Sequence, residues 1–456
     1  MVLFLILRCV SGDIFVTYRT PTGSLSRREW LARAGRTLLA LPALNVAMMS
    51  TSCGGSNGGG GVVTPPLTDD QFLDEIERAI FLFFWELASS TTGQVKDRAL
   101  AGGNDTSTVS SISSTGFGLT ALCIGDQRGY MASATIVARV QATLSFLLNQ
   151  MPNQNGFFYH FVDMNTGQRA YDSEVSSIDS AILLCGILTC RQHFQDPQII
   201  EMATQLYQQF NWPWMLNGGR TFSMGWTPED GFLTTRWDTY AEMMMLYLLA
   251  IGATVNPIPA SAWQAFARPT LTYQGLTYIT NLSAPLFIHQ YSHAWFDFRN
   301  VQDAYANYFD NSITATQAHK LFCLSLAGQF SDYSANLWGI TASDSVNGYV
   351  AWGGPPSIGP IDGSIVPCAA GGSLPFLSTD CIAALRNIQS EFPNAWQRYG
   401  FVDAFNPLTG WYDADVIGID LGITMLMAEN QRTGLVWSTF MKNPEAVAAM
   451  AAVGFH

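Results

Sequence analysis

TDDQFLDEIERAIFLFFWE, residues 68–86, decides the fold class. Thr68 and Gln71 stand three apart ahead of an apolar run, the arrangement in which a hydroxyl and a side-chain amide satisfy each other's backbone N–H groups at a helix start. Phe72, Ile76, Ile80 and Phe84 then recur every four residues and define one apolar helical face. The same spacing returns at Ile136, Val140, Leu144 and Leu148, while residues 116–126 and the run around Ile182, Leu183, Gly186 and Ile187 also read as helices. Asp196 and Pro197 supply an N-cap and a first-turn proline for a helix reaching about Phe210.

Further helices are expected over 240–251, 260–267, 313–330, 378–389, 419–429 and 444–453, separated by long loops rich in Gly, Pro and aromatics. No convincing strand pair intervenes. An all-α chain with short links on one side and elaborate loops on the other fits an (α/α)6 toroid, a double ring of helices whose long loops form a cleft at one end. An irregular helical domain is the alternative; no fixed-length repeat supports a solenoid.

Upstream of this domain, residues 26–53 read SRREWLARAGRTLLALPALNVAMMSTSC: a twin arginine, a short apolar run, then small residues ending in Cys53. This is the pattern of an exported, lipid-attached protein, with Cys53 the attachment site and Ser50 where leucine is usual. The expected location is the periplasm or the outer membrane of a bacterium, with the lipid as the sole membrane contact. Residues 1–25 lack the basic start of a signal and read as an upstream extension, so 1–52 is set apart from the fold. Residues 53–68 form a Gly/Pro-rich tether that cannot bury a core, and 69–456 form the catalytic domain.

The 456 residues carry 48% hydrophobic, 12% aromatic and only 12% charged side chains, with a net charge of −13. That balance argues against nucleic acid as a partner and for a filled core or a sugar-stacking cleft. The eight cysteines form neither a CxxC pair nor a zinc pattern. Cys123, Cys185, Cys190 and Cys323 read as small core residues; Cys368 and Cys381 are either the same or a disulfide. His289 and His293 share a helical face but lack the glutamate and third ligand of a zinc site. No cofactor or metal is expected.

Acidic residues are scarce, so those at helix starts stand out. YDSEVSSIDSA (171–181) holds Asp172, Glu174 and Asp179; TTRWDTYAE (234–242) holds Arg236, Asp238 and Glu242. The run 399–422, YGFVDAFNPLTGWYDADVIGIDLG, holds Asp403, Asp413, Asp415 and Asp420. Each can simply cap a helix. Alternatively, a carboxyl in an aromatic-walled pocket has its charged form disfavoured and suits a general acid, with a better solvated carboxylate as base: the pair that glycoside hydrolysis requires. Trp226, Trp237, Trp295, Trp338, Trp352, Trp411 and Tyr412 lie in or beside the loops, and each either packs the core or stacks on a sugar face.

The ordered motifs DEIERAIFLFFWE, DRALAGG, STGFGLTAL, YANYFDNS, NLWGITASD, NGYVAWGGP, YGFVDAFNP, GWYDADVIGIDLG and MAENQRTGLVWSTFM run through residues 69–441. In them the chain resembles the glycoamylase-like bacterial family, which includes endo-β-1,2-glucanases and relatives of the C-terminal domain of cyclic β-1,2-glucan synthases. The resemblance implies an (α/α)6 toroid and a metal-free, inverting hydrolysis of β-glucan, with β-1,2-glucan the best-known substrate. It further implies Glu242 of DTYAE as general acid and Asp420 of GIDLG as base. Where the glucanases resemble D-x-x-x-D-L-V-E, Asp172 matches the first acid, Ser176 replaces the second and Asp179 replaces the glutamate. That departure leaves the linkage and the endo mode open, together with two alternatives: a glycan-binding lipoprotein with reduced turnover, or a glycosidase of different linkage on the same toroid.

Overall fold

The computed structural model describes residues 6–10, 13–17, 67–282 and 285–456. Residues 6–10 and 13–17 form an antiparallel hairpin. The remaining described chain is dominated by helices: α1 (Asp69–Glu86), α2 (Ile112–Arg128), α3 (Ser133–Asn149), α4 (Ser177–His193), α5 (Pro197–Gln208), α6 (Trp212–Leu216), α7 (Met244–Gly252), α8 (Tyr308–Ser325), α9 (Pro367–Gly371), α10 (Ser378–Glu391), α11 (Gly418–Arg432), α12 (Leu435–Phe440) and α13 (Pro444–Ala452).

The helix starts follow the capping chemistry. Thr68 N–H donates to Gln71 Oε1 at 2.9 Å and Gln71 N–H to Thr68 Oγ1 at 3.3 Å, and Ile76, Ile80 and Phe84 turn inward at 0–1% exposure. Asp196 accepts from the N–H groups of Gln198 and Ile199 at 3.0 Å ahead of Pro197. Helices α2 and α4 are different in kind. Both are buried nearly all round, so neither shows an apolar stripe. Their backbones touch where Gly116 faces Gly186: a Cβ on Gly186 would lie 2.1 Å from the Gly116 carbonyl oxygen.

Successive inner elements pack in turn: α2 on α4, α4 on α7, the 3-10 turn Tyr291–Ala294 on α11, and α11 back on α2. The link from α7 to that turn is made by Ser292, whose Oγ accepts from Met245 N–H at 2.9 Å. Helices α3 and α5 cover α4 and α2 from outside through their own mutual packing.

One expectation changes and one open choice is resolved. The chain is not purely helical, because short antiparallel ladders join its loops, among them Arg98–Leu100 with Asp415–Ile417, Val109–Ser111 with Phe161–Asp163, and Val175–Ser176 with Gly225–Thr227. At two or three residues each, these three are too short to display the alternation that marks a strand. They nevertheless matter, since Ser111, Ser176 and Ile417 run straight into α2, α4 and α11 and so pin the helix starts. Cys368 and Cys381 are free, buried thiols, not a disulfide.

Candidate active site

Glu242 does not begin a helix, as the sequence suggests. Thr239 bridges Ala267 and Tyr240 N–H donates to the Ala267 carbonyl at 2.8 Å, which holds 239–240 extended and delays α7 to Met244. Glu242 therefore sits in the preceding turn. Ser292 Oγ donates to its carbonyl oxygen at 2.5 Å, fixing the backbone from which the carboxyl projects. The side chain is buried, and burial first, with the nearby Asp179 charge adding to it, pushes the carboxyl up to about 7. A carboxyl that keeps its proton near neutral pH is what a general acid needs.

Asp420 lies in the first turn of α11, behind the Asp415–Ile417 ladder. Burial raises it to about 6, against the pull of hydrogen bonds from Asp403 and the Cys368 thiol and of the Arg98 charge. Asp403 is shifted well above the carboxylate range by burial and then by Asp420, Asp344 and Asp413. Its other contact is fixed: Asp344 N–H donates to Asp403 Oδ2 at 2.6 Å. Arg98 ties the group together, bonding Asp344 and, at 3.1 Å, Asp97, with Asp415 4.0 Å away. Asp413 is pushed up to about 7, chiefly by burial and Asp344.

The buried Tyr291 phenol is raised by burial and then by the charges of Asp420, Cys368, Tyr349 and Glu242, so it stands within electrostatic reach of both Asp420 and Glu242.

A third group joins them at α4. His160 Nδ1 is 3.2 Å from Glu174 Oε1 and its Nε2 3.7 Å from Asp179 Oδ2. Ser176 Oγ donates to Asp179 Oδ2 at 2.5 Å and accepts from Asp179 N–H at 3.2 Å. The serine that replaces an acid thus caps the helix and holds Asp179 in place. His160 was not visible as a site residue in sequence, since nothing local marks it; Arg98 and Asp344 stood inside DRALAGG and NLWGITASD without a distinguishing neighbour.

The other sequence candidates divide by burial. Asp172 and Asp238 are exposed. Arg236 is turned inward, its Nε donating to Thr221 Oγ1 at 3.0 Å and its Nη2 to the Leu216 carbonyl at 2.7 Å, which makes it a brace for the loop. Trp237 and Trp338, expected to contact sugar, are instead buried at 4% and 0% exposure and present no face to one. Trp237 Nε1 donates to Ser177 Oγ at 3.0 Å, and Trp338 packs against His319. Trp295 and Trp352 are equally buried. Trp226, packed with Trp214 at 5.9 Å, and Trp411 and Tyr412 are half-buried, Tyr412 stacking on Phe405 at 5.5 Å. Cys53 lies outside the described residues.

Metal-donor atoms converge within 4.8 Å at two places among the described residues, His160–Glu174–Asp179 and Asp344–Asp403–Asp413. His289 and His293 go separate ways: Nδ1 of His289 meets the Tyr240 hydroxyl and Nε2 of His293 meets Ser312 Oγ, each at 3.1 Å. Burial pushes both imidazoles down to about 3.

The helical scaffold buries several carboxyls of raised proton affinity at its turns and helix starts. Residues 234–444, which contain Glu242, Asp403 and Asp420, match the family model Glycoamylase, described as "Putative glucoamylase". An exo β-1,2-glucooligosaccharide sophorohydrolase (non-reducing end) from Parabacteroides distasonis is 28% identical over 422 residues, 83% of this chain; the match spans 57% of that relative's length. Among solved structures, the endo-β-1,2-glucanase from Chitinophaga pinensis, in complex with sophorotriose and glucose, superposes with a TM-score of 0.78 at 26% identity, covering 86% of this chain and 99% of that one. The β-1,2-glucanase from Parabacteroides distasonis gives a TM-score of 0.80 at 25% identity, covering 85% of this chain and 60% of that one.

Proposed function

We propose that this protein is a glycoside hydrolase acting on β-1,2-glucan by inversion, with Glu242 as general acid and Asp420 as base, on an (α/α)6 toroid. The observation that carries the reading is the buried Glu242 carboxyl, held up at about 7, with the Tyr291 phenol feeling the charge of both Asp420 and Glu242. Glu242 gives its proton to the leaving glycosidic oxygen. Asp420, supplied with hydrogen bonds by Asp403 and Cys368, takes a proton from the water that attacks the anomeric carbon from the opposite face. Inversion leaves room for that water when the carboxyls stand roughly 6.5–9.5 Å apart. The ring of inner elements closing from α11 onto α2 supports the toroid, and the named activities of the relatives support the substrate.

The test is to incubate the purified protein with β-1,2-glucan, β-1,3-glucan and starch and to follow new reducing ends by NMR. Release of the α-anomer from β-1,2-glucan alone is the expected result; the β-anomer would remove the inverting assignment. Binding without turnover would favour a glycan-binding protein, the reading that the Ser176 replacement keeps open. Activity of Glu242→Gln equal to the parent would remove Glu242 from the mechanism.

The Ser26–Cys53 pattern further supports export and lipid attachment at Cys53. Among the described residues no helix is long and apolar enough to cross a membrane. Metabolic labelling with a fatty acid, lost in Cys53→Ala, tests the anchor.

A further inference from the structure

The loop between His160 and α4 turns tightly at Ala170–Ser173, where Ser173 N–H donates to the Ala170 carbonyl at 3.1 Å. Tyr171 and Asp172 are successive residues at φ 56° and 49°, the left-handed region that a bulky side chain rarely enters. The loop is held there from several sides. Arg169 donates through Nε to the Ser173 carbonyl and through Nη2 to the Asp172 carbonyl, both at 2.6 Å, and grips Glu229 with two bonds at 2.7 and 3.0 Å. Its guanidinium also lies 5.2 Å over the Tyr159 ring, and Ser173 bonds both polar groups of the Phe161 backbone.

The outcome of this bracing is the placement of one ring. Tyr171 is 55% exposed, its ring centre 5.8 Å from that of Phe161 in an edge-to-face arrangement. Phe161 in turn stacks on His160 at 3.9 Å, and His160 faces Glu174 and Asp179. A turn braced from several sides therefore displays a large aromatic face two rings, Phe161 and His160, away from the Glu174 and Asp179 carboxyls. Strain that persists because its surroundings enforce it is characteristic of ligand clamps.

We propose that Tyr171 forms a rim subsite, its ring stacking on a glucosyl unit of the bound chain, with the exposed Asp172 beside it to accept from sugar hydroxyls. This rests on the β-glucan reading of the site and adds to it a residue that sets the length of chain the cleft holds. A sugar offers its C–H face to an aromatic ring much as a base stacks on one, while short oligosaccharides confined near Glu242 do not reach it.

The experiment uses the full chain bearing Glu242→Gln as a binding-competent parent, titrated by calorimetry with β-1,2-linked gluco-oligosaccharides of increasing length. Adding Tyr171→Ala is expected to weaken binding of the longer oligosaccharides by roughly five- to tenfold, the scale of one aromatic contact, and to leave the shortest that bind unchanged. Tyr171→Asn, which tolerates left-handed backbone and so retains the turn, should show the same loss, and Tyr171→Phe should keep parental affinity. Parental affinity at every length in both Tyr171→Ala and Tyr171→Asn would overturn the subsite while leaving the hydrolase reading intact. A parent that binds none of these oligosaccharides would overturn the β-1,2-glucan reading and the subsite together.

Discussion

Glu242 concentrates the chemistry in one carboxyl whose proton is retained by burial. Activity requires Glu242 protonated, near 7, and Asp420 ionised, near 6. The rate therefore rises as pH passes about 6 and falls as it passes about 7, and kcat/KM against pH should be a narrow bell between them. The same burial has a stability consequence. The folded-state value lies above the ordinary 4.5, so the contribution is fully present below that pH and is lost as pH rises through about 7, on the order of 3 kcal/mol. Glu242→Gln should thus raise the melting temperature at pH 8 and leave it nearly unchanged at pH 4, while abolishing turnover. Tryptophans separate by the same criterion of burial. Trp338→Ala should cost about 3–5 kcal/mol by chemical denaturation, whereas Trp226→Ala, half-buried against Trp214, should cost less stability and weaken glucan binding.

At the scale of elements, the site depends on how closely α2 and α4 approach. Each of these helices follows directly from a short ladder, and their crossing is set by Gly116 against Gly186. A methyl group at 186 would meet the Gly116 carbonyl oxygen, a backbone atom with nowhere to go. Gly186→Ala should therefore lose about 3 kcal/mol or more, read as a lower denaturation midpoint with unchanged m-value, and should reduce activity by moving Asp179. Helix starts were legible where a cap announces them, as at Thr68 and Asp196. They were not legible at α7, because the bond from Tyr240 to Ala267 belongs to another loop.

Across the molecule, a buried ionic network joins α1, α2 and α11. Arg128 bonds Glu429 with two contacts at 2.8 and 2.9 Å, and Arg432 reaches Glu77, which is fully buried. Burial and the Glu429 charge raise Glu77 well above the ordinary glutamate value, so it tolerates its position only beside these arginines. Arg432→Met should cost about 3–5 kcal/mol, and adding Glu77→Gln should recover part of it, as measured by denaturant unfolding. A second tie, Arg191 to Asn443 and Glu445, anchors the start of α13 to α4.

By itself the sequence determined the helical class, the caps, the family resemblance and the short list of acids, because these follow from local spacing and residue type. Tertiary structure alone decided which of the acids meet. Asp344 donates its backbone N–H to Asp403, 59 positions on, and is itself bonded by Arg98, 246 positions before it, while Asp420 acts on the same Asp403 carboxyl. It also decided which aromatics face inward, removing Trp237 and Trp338 from the cleft, and it brought His160 to Asp179. Burial and charge proximity, the two quantities that shift a carboxyl's proton affinity, are properties of packing in three dimensions and have no local signature in the chain.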